Sequence, residues 1–169
     1  AVTQDKMQAG STFKVFTLAA AIHAGIDPYT TYYESKPLNI DDPVYGHWEV
    51  HTYGDSYSGT IDVAQATLAS DNSVFAQLAL DVGPDKVAEM AKELGIKTKL
   101  DGYPAETLGG LTIGVSPLEM AGAYSTIASG GIRHDPTAIE RVVFPNGEVD
   151  RPSKSKGTRV LSEAESYEI

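Results

Sequence analysis

The chain has 169 residues, 41% of them apolar, enough to bury one sizeable core and pointing to one domain rather than two. Thirteen Lys and Arg against 23 Asp and Glu leave a net charge of -10, which repels phosphate backbones and argues against a nucleic-acid partner. There is no cysteine for a disulfide, a thiolate metal site or a nucleophile, and neither a membrane-length apolar run nor a signal-peptide pattern, so the segment itself reads as soluble.

Residues 11–24 (STFKVFTLAAAIHA) are apolar nearly all round, the pattern of a buried central helix, and Gly25 followed by Pro28 supplies its stop. Residues 27–59 turn to Pro, Gly, Asp and Tyr without clear period and read as a loop-rich insertion or small subdomain. Helical pattern returns over 61–69 and again after Asn72, where Val74, Leu78 and Val82 share a face, and the two segments meet at Ser70-Asp71-Asn72. Pro84 opens a helix striped by Val87, Met90, Ala91 and Leu94 and closed by Gly95. Ser116 and Glu119 form a capping box around Pro117, predicting a helix through Met120 and Tyr124 to Gly130-Gly131. Residues 138–150, turning at Pro145-Asn146-Gly147, predict a β-hairpin, followed by a Lys/Ser-rich stretch and a short C-terminal segment. No internal repeat is present.

A serine hydroxyl is a weak nucleophile unless a nearby base takes its proton, and a lysine does so when burial lowers its pKa. Ser11 and Lys14 meet that need: three residues apart at a helix start, they share a face, and the apolar remainder of the helix offers a desolvated setting. Backbone N–H groups at such a helix end favour developing negative charge. Ser-x-x-Lys is short, however, and a plain N-cap at Ser11 would explain it without chemistry. Ser70 and Asn72 fall at a junction between helices, where a hydroxyl and an amide suit proton relay and peptide binding; an isolated Ser-Asp-Asn also reads as a helix cap. The two motifs together weigh more than either alone.

His47, His51 and Asp55 suggest a zinc site only if they share a helical face, and GHWEVHTYGDSYSG is not helical, so no metal is predicted. His23, near the end of the buried helix, suits the helix dipole. Trp48 and the loop tyrosines suit aromatic cover over the central helix rather than the wall of a peptide cleft.

Ser-x-x-Lys followed by Ser-Asp-Asn belongs to the motif set of penicillin-binding proteins and class A β-lactamases. In wording the chain resembles the transpeptidase domain of a bifunctional, class A penicillin-binding protein. The resemblance rests on QAGSTFKVFTLAAA around Ser11, GTIDVAQATLASDNSVFAQLA around Ser70 and GVSPLEMAGAYSTIASGG up to Gly131, in the family's order and spread over most of the chain. It implies that Ser11 is the acylated nucleophile and Lys14 its base. It further implies that Ser70 passes the proton to the leaving amine and that Asn72 contacts both Lys14 and the substrate's peptide amide. The expected substrates are the D-alanyl-D-alanine ends of peptidoglycan stem peptides and an acceptor amine, with β-lactams acylating the same serine and no cofactor needed. The implied parent is anchored in the bacterial cytoplasmic membrane and faces outward.

The family's third motif, Lys-Ser/Thr-Gly, is absent: Lys156-Gly157-Thr158 has similar letters in another order. The expectation is therefore an α+β family fold of which residues 1–169 form a partial transpeptidase domain, mostly α-helical with one β-hairpin at 138–150, the C-terminal part of the domain being the missing complement. Two rivals remain. The spacing of Ser11, Ser70 and Glu106 resembles that of a class A β-lactamase, although Gly110 stands where such an enzyme has asparagine, and Glu106 reads as an exposed loop carboxylate. A non-catalytic sensor or interaction module would also keep Ser11, Lys14, Ser70 and Asn72.

Overall fold

The apolar stretch after Ser11 coils in two steps: a 3-10 turn over Gly10–Phe13, then the α-helix α1 over Lys14–His23. The computed structural model describes residues 3–151 and 156–169, so most of the predicted Lys/Ser-rich stretch lies outside the described residues. Ala, Leu, Ile and Phe side chains leave α1 apolar on every face, and Phe16 and the run Leu18 to Ile22 are all buried. The flanking helices supply the surrounding wall: α3 (Asn72–Val82) brings Val74, Phe75 and Leu78, and α4 (Pro84–Leu94) brings the predicted Val87, Met90, Ala91 and Leu94 stripe. Phe13 meets Phe16 edge to face at 4.6 Å between ring centroids, which seats the turn on the helix.

Helix ends follow their capping chemistry. Pro84 is the first residue of α4. The Ser116–Glu119 capping box opens α5 (Pro117–Ala128). Glu119 also accepts from the backbone N–H groups of Lys97 and Thr98 and from Lys6 Nζ at 2.6 Å, tying the start of α5 to two other chain segments. Asp62 caps α2 (Val63–Ala69) through Gln65 N–H, so this helix begins later than its periodicity predicts, Ile61 and Asp62 belonging to a strand. A second capping box, Ser162 with Glu165, starts α6 (Glu163–Glu168), where the sequence reading saw only a short segment.

Among the described residues strands occur as four antiparallel pairs. β1 (Tyr32–Ser35) pairs with β4 (Gly59–Asp62), β2 (Leu38–Asp42) with β3 (Gly46–Val50), β5 (Ile132–Arg133) with β8 (Thr158–Arg159), and β6 (Val142–Val143) with β7 (Val149–Asp150). The hairpin inside 138–150 thus forms with two-residue strands, and the expectation of one hairpin is corrected. The segment 27–59, read as a loop-rich insertion or small subdomain, contains β1, β2 and β3. On β2 and β3 the alternation of Leu38, Ile40, Trp48 and Val50 with polar residues is a strand pattern, and Asp42 Oδ1 holds the turn by accepting from the N–H groups of Val44 and Tyr45. Trp48 does not cover α1. It packs with Leu38, Val50 and Ala76, pinning the β2–β3 hairpin to α3. Among the described residues no helix is long and apolar enough to cross a membrane.

Candidate active site

Ser11 sits inside the 3-10 turn and is exposed; Ala9 holds the N-cap position and no side chain caps it, so capping does not account for the serine. The turn is fixed on three sides. Thr12 Oγ1 donates to the Ala9 carbonyl at 2.6 Å, Tyr124 of α5 donates its hydroxyl to the Thr12 carbonyl at 2.9 Å, and Gly109 lies directly behind Gly10. A Cβ on Gly109 would fall 2.1 Å from the Gly10 carbonyl oxygen, and Gly109 has φ +88°, so only glycine permits this approach.

Lys14, the first residue of α1, is 4% exposed with its Nζ 5.4 Å from the centroid of the Phe75 ring. Nζ contacts the Ser70 carbonyl oxygen at 2.6 Å, Asn72 Oδ1 at 2.7 Å and Ser70 Oγ at 3.1 Å. Burial pushes the amine down from 10.5 to about 8, against the pull of the Asp71 carboxylate, which favours the charged form.

Ser70 ends α2 in the left-handed conformation (φ 52°, ψ 41°), a rare setting for serine, and the bend lets α3 begin two residues later. Asp71, between the two expected site residues, is buried and caps α3 through Val74 N–H at 3.0 Å; it also accepts from the Ser35 and Ser73 hydroxyls. Burial works to raise its pKa, but these hydrogen bonds hold the carboxyl below the usual range. The cap that Ser70-Asp71-Asn72 offered as an alternative reading is thus Asp71, while Ser70 and Asn72 meet Lys14. Asn72 Nδ2 donates to the His51 carbonyl oxygen at 2.8 Å, so the end of β3 is latched to the site.

These residues share a cleft. Ser11, Lys14 and Ser70 line a depression of about 180 Å³ with Tyr124 and Phe75, and Ser11, Ser70 and Asn72 line an adjoining one of about 520 Å³ with Thr52 and Tyr53. Elsewhere the sequence expectations change. Glu106 is not an exposed loop carboxylate: it is buried, and its two oxygens accept from the N–H groups of Asp101 and Gly102, which close a tight turn around it. His47 lies on β3 between Asp41 and Glu49, whose carboxylates raise its pKa, while His51 meets Asp55 across a turn. Among the described residues no group of three or more His, Cys, Asp or Glu is arranged to hold a metal ion. His23 pairs with Glu165 of α6 at 2.7 Å. Thr158 belongs to β8, and Lys156, Gly157 and Thr158 are absent from the lining of both depressions.

The sequence model of the penicillin binding protein transpeptidase domain matches residues 1–167. The chain belongs to that family. It is 32% identical over 166 residues to penicillin-binding protein 2D of Bacillus subtilis, covering 98% of this chain and 24% of that protein. It is 35% identical over 162 residues to penicillin-binding protein 1A of Mycobacterium tuberculosis, covering 86% and 19%. The chain thus spans about a quarter or less of these curated relatives. Among solved structures, PonA1 from Mycobacterium tuberculosis in complex with penicillin V matches with a TM-score of 0.83 at 29% identity, over 98% of this chain and 46% of that one. The D,D-transpeptidase domain of a peptidoglycan glycosyltransferase from Eggerthella lenta matches with a TM-score of 0.79 at 26% identity, over 99% and 48%. The fold is therefore the α+β fold of these transpeptidase domains, of which this chain carries a mostly helical part.

Proposed function

We propose that this chain forms the nucleophile-bearing part of a serine D,D-transpeptidase site that cross-links peptidoglycan stem peptides and is acylated by β-lactams. The observation that carries the reading is the buried Lys14 amine, brought near neutrality and held against Ser70 and Asn72 in a cleft shared with Ser11. With a pKa of about 8, about a tenth of Lys14 is neutral at pH 7. A neutral amine has two N–H bonds, and the Ser70 carbonyl and Asn72 Oδ1 accept both. Its lone pair is then free to take the Ser11 proton, after which the ammonium donates to Ser70 Oγ, 3.1 Å from Nζ.

In the proposed cycle Lys14 takes the Ser11 proton as Oγ adds to the carbonyl carbon of the penultimate D-alanine. The C–N bond breaks, the proton passes through Ser70 to the departing D-alanine amine, and an ester on Ser11 remains. An acceptor amine attacks that ester, forms the new peptide bond, returns a proton through the same groups and frees Ser11. Asn72, with Oδ1 on Lys14 and Nδ2 on the His51 carbonyl, orients the lysine and flanks the path of the substrate amide. Every step uses side chains, so no cofactor enters the cycle. A β-lactam follows the first half, its ring nitrogen remaining tethered. Localisation on the outer face of the bacterial cytoplasmic membrane follows from this reading.

A lactamase reading has less support, because the oxygens of Glu106 are occupied by backbone N–H groups and Glu106 does not line the cleft. The test is the intact mass of the full-length protein after incubation with benzylpenicillin, with peptide mapping. A persistent adduct on Ser11, lost in Ser11→Ala, and transfer of a D-alanyl-D-alanine peptide to an amine acceptor are expected. Rapid penicillin turnover would instead indicate a lactamase, and an adduct without peptide transfer a sensor.

A further inference from the structure

A second recess lies apart from the nucleophile cleft and shares no lining residue with it. It is an open groove of about 400 Å³ between the β2–β3 hairpin and residues 103–105, walled by Tyr45, Trp48, Tyr103 and Pro104. Each ring is held by its own segment. Tyr45, in the hairpin turn, donates its hydroxyl to the Gly102 carbonyl at 3.3 Å and so bridges the two walls. Trp48 of β3 packs back on Leu38, Val50 and Ala76. The Tyr103 hydroxyl meets Thr112 Oγ1 at 2.6 Å, and the buried Glu106 fixes the adjoining backbone by accepting from Gly102 N–H at 2.7 Å. Beside the rings stands His47, which also lines the groove, with the carboxylates of Asp41 and Glu49 at 2.7 and 3.2 Å from its two ring nitrogens.

Rings fixed around an open groove, with carboxylates and an imidazole beside them, form a mixed surface. Such a surface suits a sugar, whose C–H face stacks on an aromatic plane while its perimeter hydroxyls donate to carboxylates and exchange hydrogen bonds with imidazole. Two other ligands that stack on aromatic rings fit less well. A nucleic acid is repelled by the net charge of -10. A proline-rich peptide also docks in aromatic grooves, but proline has no N–H to offer, so the carboxylates beside the rings would go unmatched. Position adds to the chemistry: Trp48 lies three residues before His51, about 10 Å of extended chain, and the His51 carbonyl holds Asn72 of the cleft. We infer that this groove is a carbohydrate-binding subsite, seating a sugar of the glycan chain from which the stem peptide hangs. The chemical class of the ligand rests on the groove alone, whereas its being the peptide-bearing glycan rests on the transpeptidase reading.

The test uses the full-length protein, its Tyr45→Ala and Tyr103→Ala variants, and peptide-free glycan strands of alternating N-acetylglucosamine and N-acetylmuramic acid as the probe. In isothermal titration calorimetry each substitution should weaken glycan binding about three- to tenfold, the loss of one ring contact, while benzylpenicillin acylates Ser11 at an unchanged rate. The KM for a stem peptide still attached to its glycan should rise by a similar factor, with that for a free D-alanyl-D-alanine peptide unmoved. Equal glycan binding by all three proteins would overturn the proposal. So would a polyproline peptide that binds in place of glycan and is lost in the same variants, or a parallel loss of acylation, which would mean that the rings only support the fold. If the unsubstituted protein takes up no benzylpenicillin on Ser11, the transpeptidase reading fails by itself, and the glycan titration still decides whether the groove binds sugar.

Discussion

At the scale of single residues the site depends on the competition over Lys14. Burial alone would drive the amine further down, and the Asp71 carboxylate pulls it back, leaving it at about 8. Since only the neutral amine accepts a proton from Ser11, the acylation rate should climb with pH through the region of 8 and level off above it. Asp71→Asn removes the charge that favours the ammonium form, so the inflection should move to lower pH while Asn still offers an oxygen to Val74 N–H. Stopped-flow acylation between pH 6 and 10 measures both proteins, and an unmoved or upward-moved inflection would show that Asp71 does not act on Lys14 electrostatically. Lys14→Met should lower acylation by about a hundredfold or more at every pH, the size of a lost general base.

At the scale of elements the nucleophile turn is positioned from behind by the turn that ends at Gly109. The near-contact of Gly109 with Gly10 leaves no room for a methyl group, while a Cβ on Gly110 would meet the Ala105 carbonyl at 3.1 Å, a tight but adjustable distance. Gly109→Ala should therefore cost about 2–4 kcal/mol in urea unfolding and slow acylation by displacing Ser11, whereas Gly110→Ala should cost about 1 kcal/mol or less. Equal effects of the two would remove the packing explanation. This also shows what the sequence conveyed and what it withheld. The helices with signed ends, at Pro84 and at Ser116–Glu119, were legible because capping is local chemistry. The proximity of Lys14 to Ser70 and Asn72 was legible only through the motif resemblance. The β2–β3 hairpin was obscured because its strands are only five residues long and meet through Asp41, Asp42, Pro43 and Gly46, so the period of two is brief and borders on turn residues. Glu106 was misread because its partners are backbone N–H groups, which leave no residue pattern.

At the scale of the molecule, acid sets two effects against each other. Lowering the pH titrates the net charge of -10 toward zero, which relieves self-repulsion spread over the surface. The same protons neutralise carboxylates on which the fold depends: Glu119, which joins the start of α5 to Lys6 and to residues 97–98, Asp71 at the cap of α3, and Glu165 at the cap of α6. In Glu119 burial opposes ionisation, but Lys6, Ser116 and Thr98 hold the carboxyl far below its usual range, and the pKa values of Asp71 and Glu165 are lowered as well. A carboxylate with a lower pKa folded than unfolded contributes stability that is full above the ordinary carboxylate range and is lost as pH falls toward the folded value. Each such partly buried group is worth about 1–2 kcal/mol, against a few tenths for diffuse charge relief, so the specific groups win. Unfolding free energy should therefore change little between pH 7 and 5 and then fall by about 2–4 kcal/mol by pH 3. Glu119→Gln should be less stable than the unsubstituted protein at pH 7, with the difference closing as pH falls, since protonation makes the two side chains alike. Urea midpoints across that range decide the matter: parallel curves for the two proteins would mean that the acid sensitivity arises elsewhere than at the α5 junction.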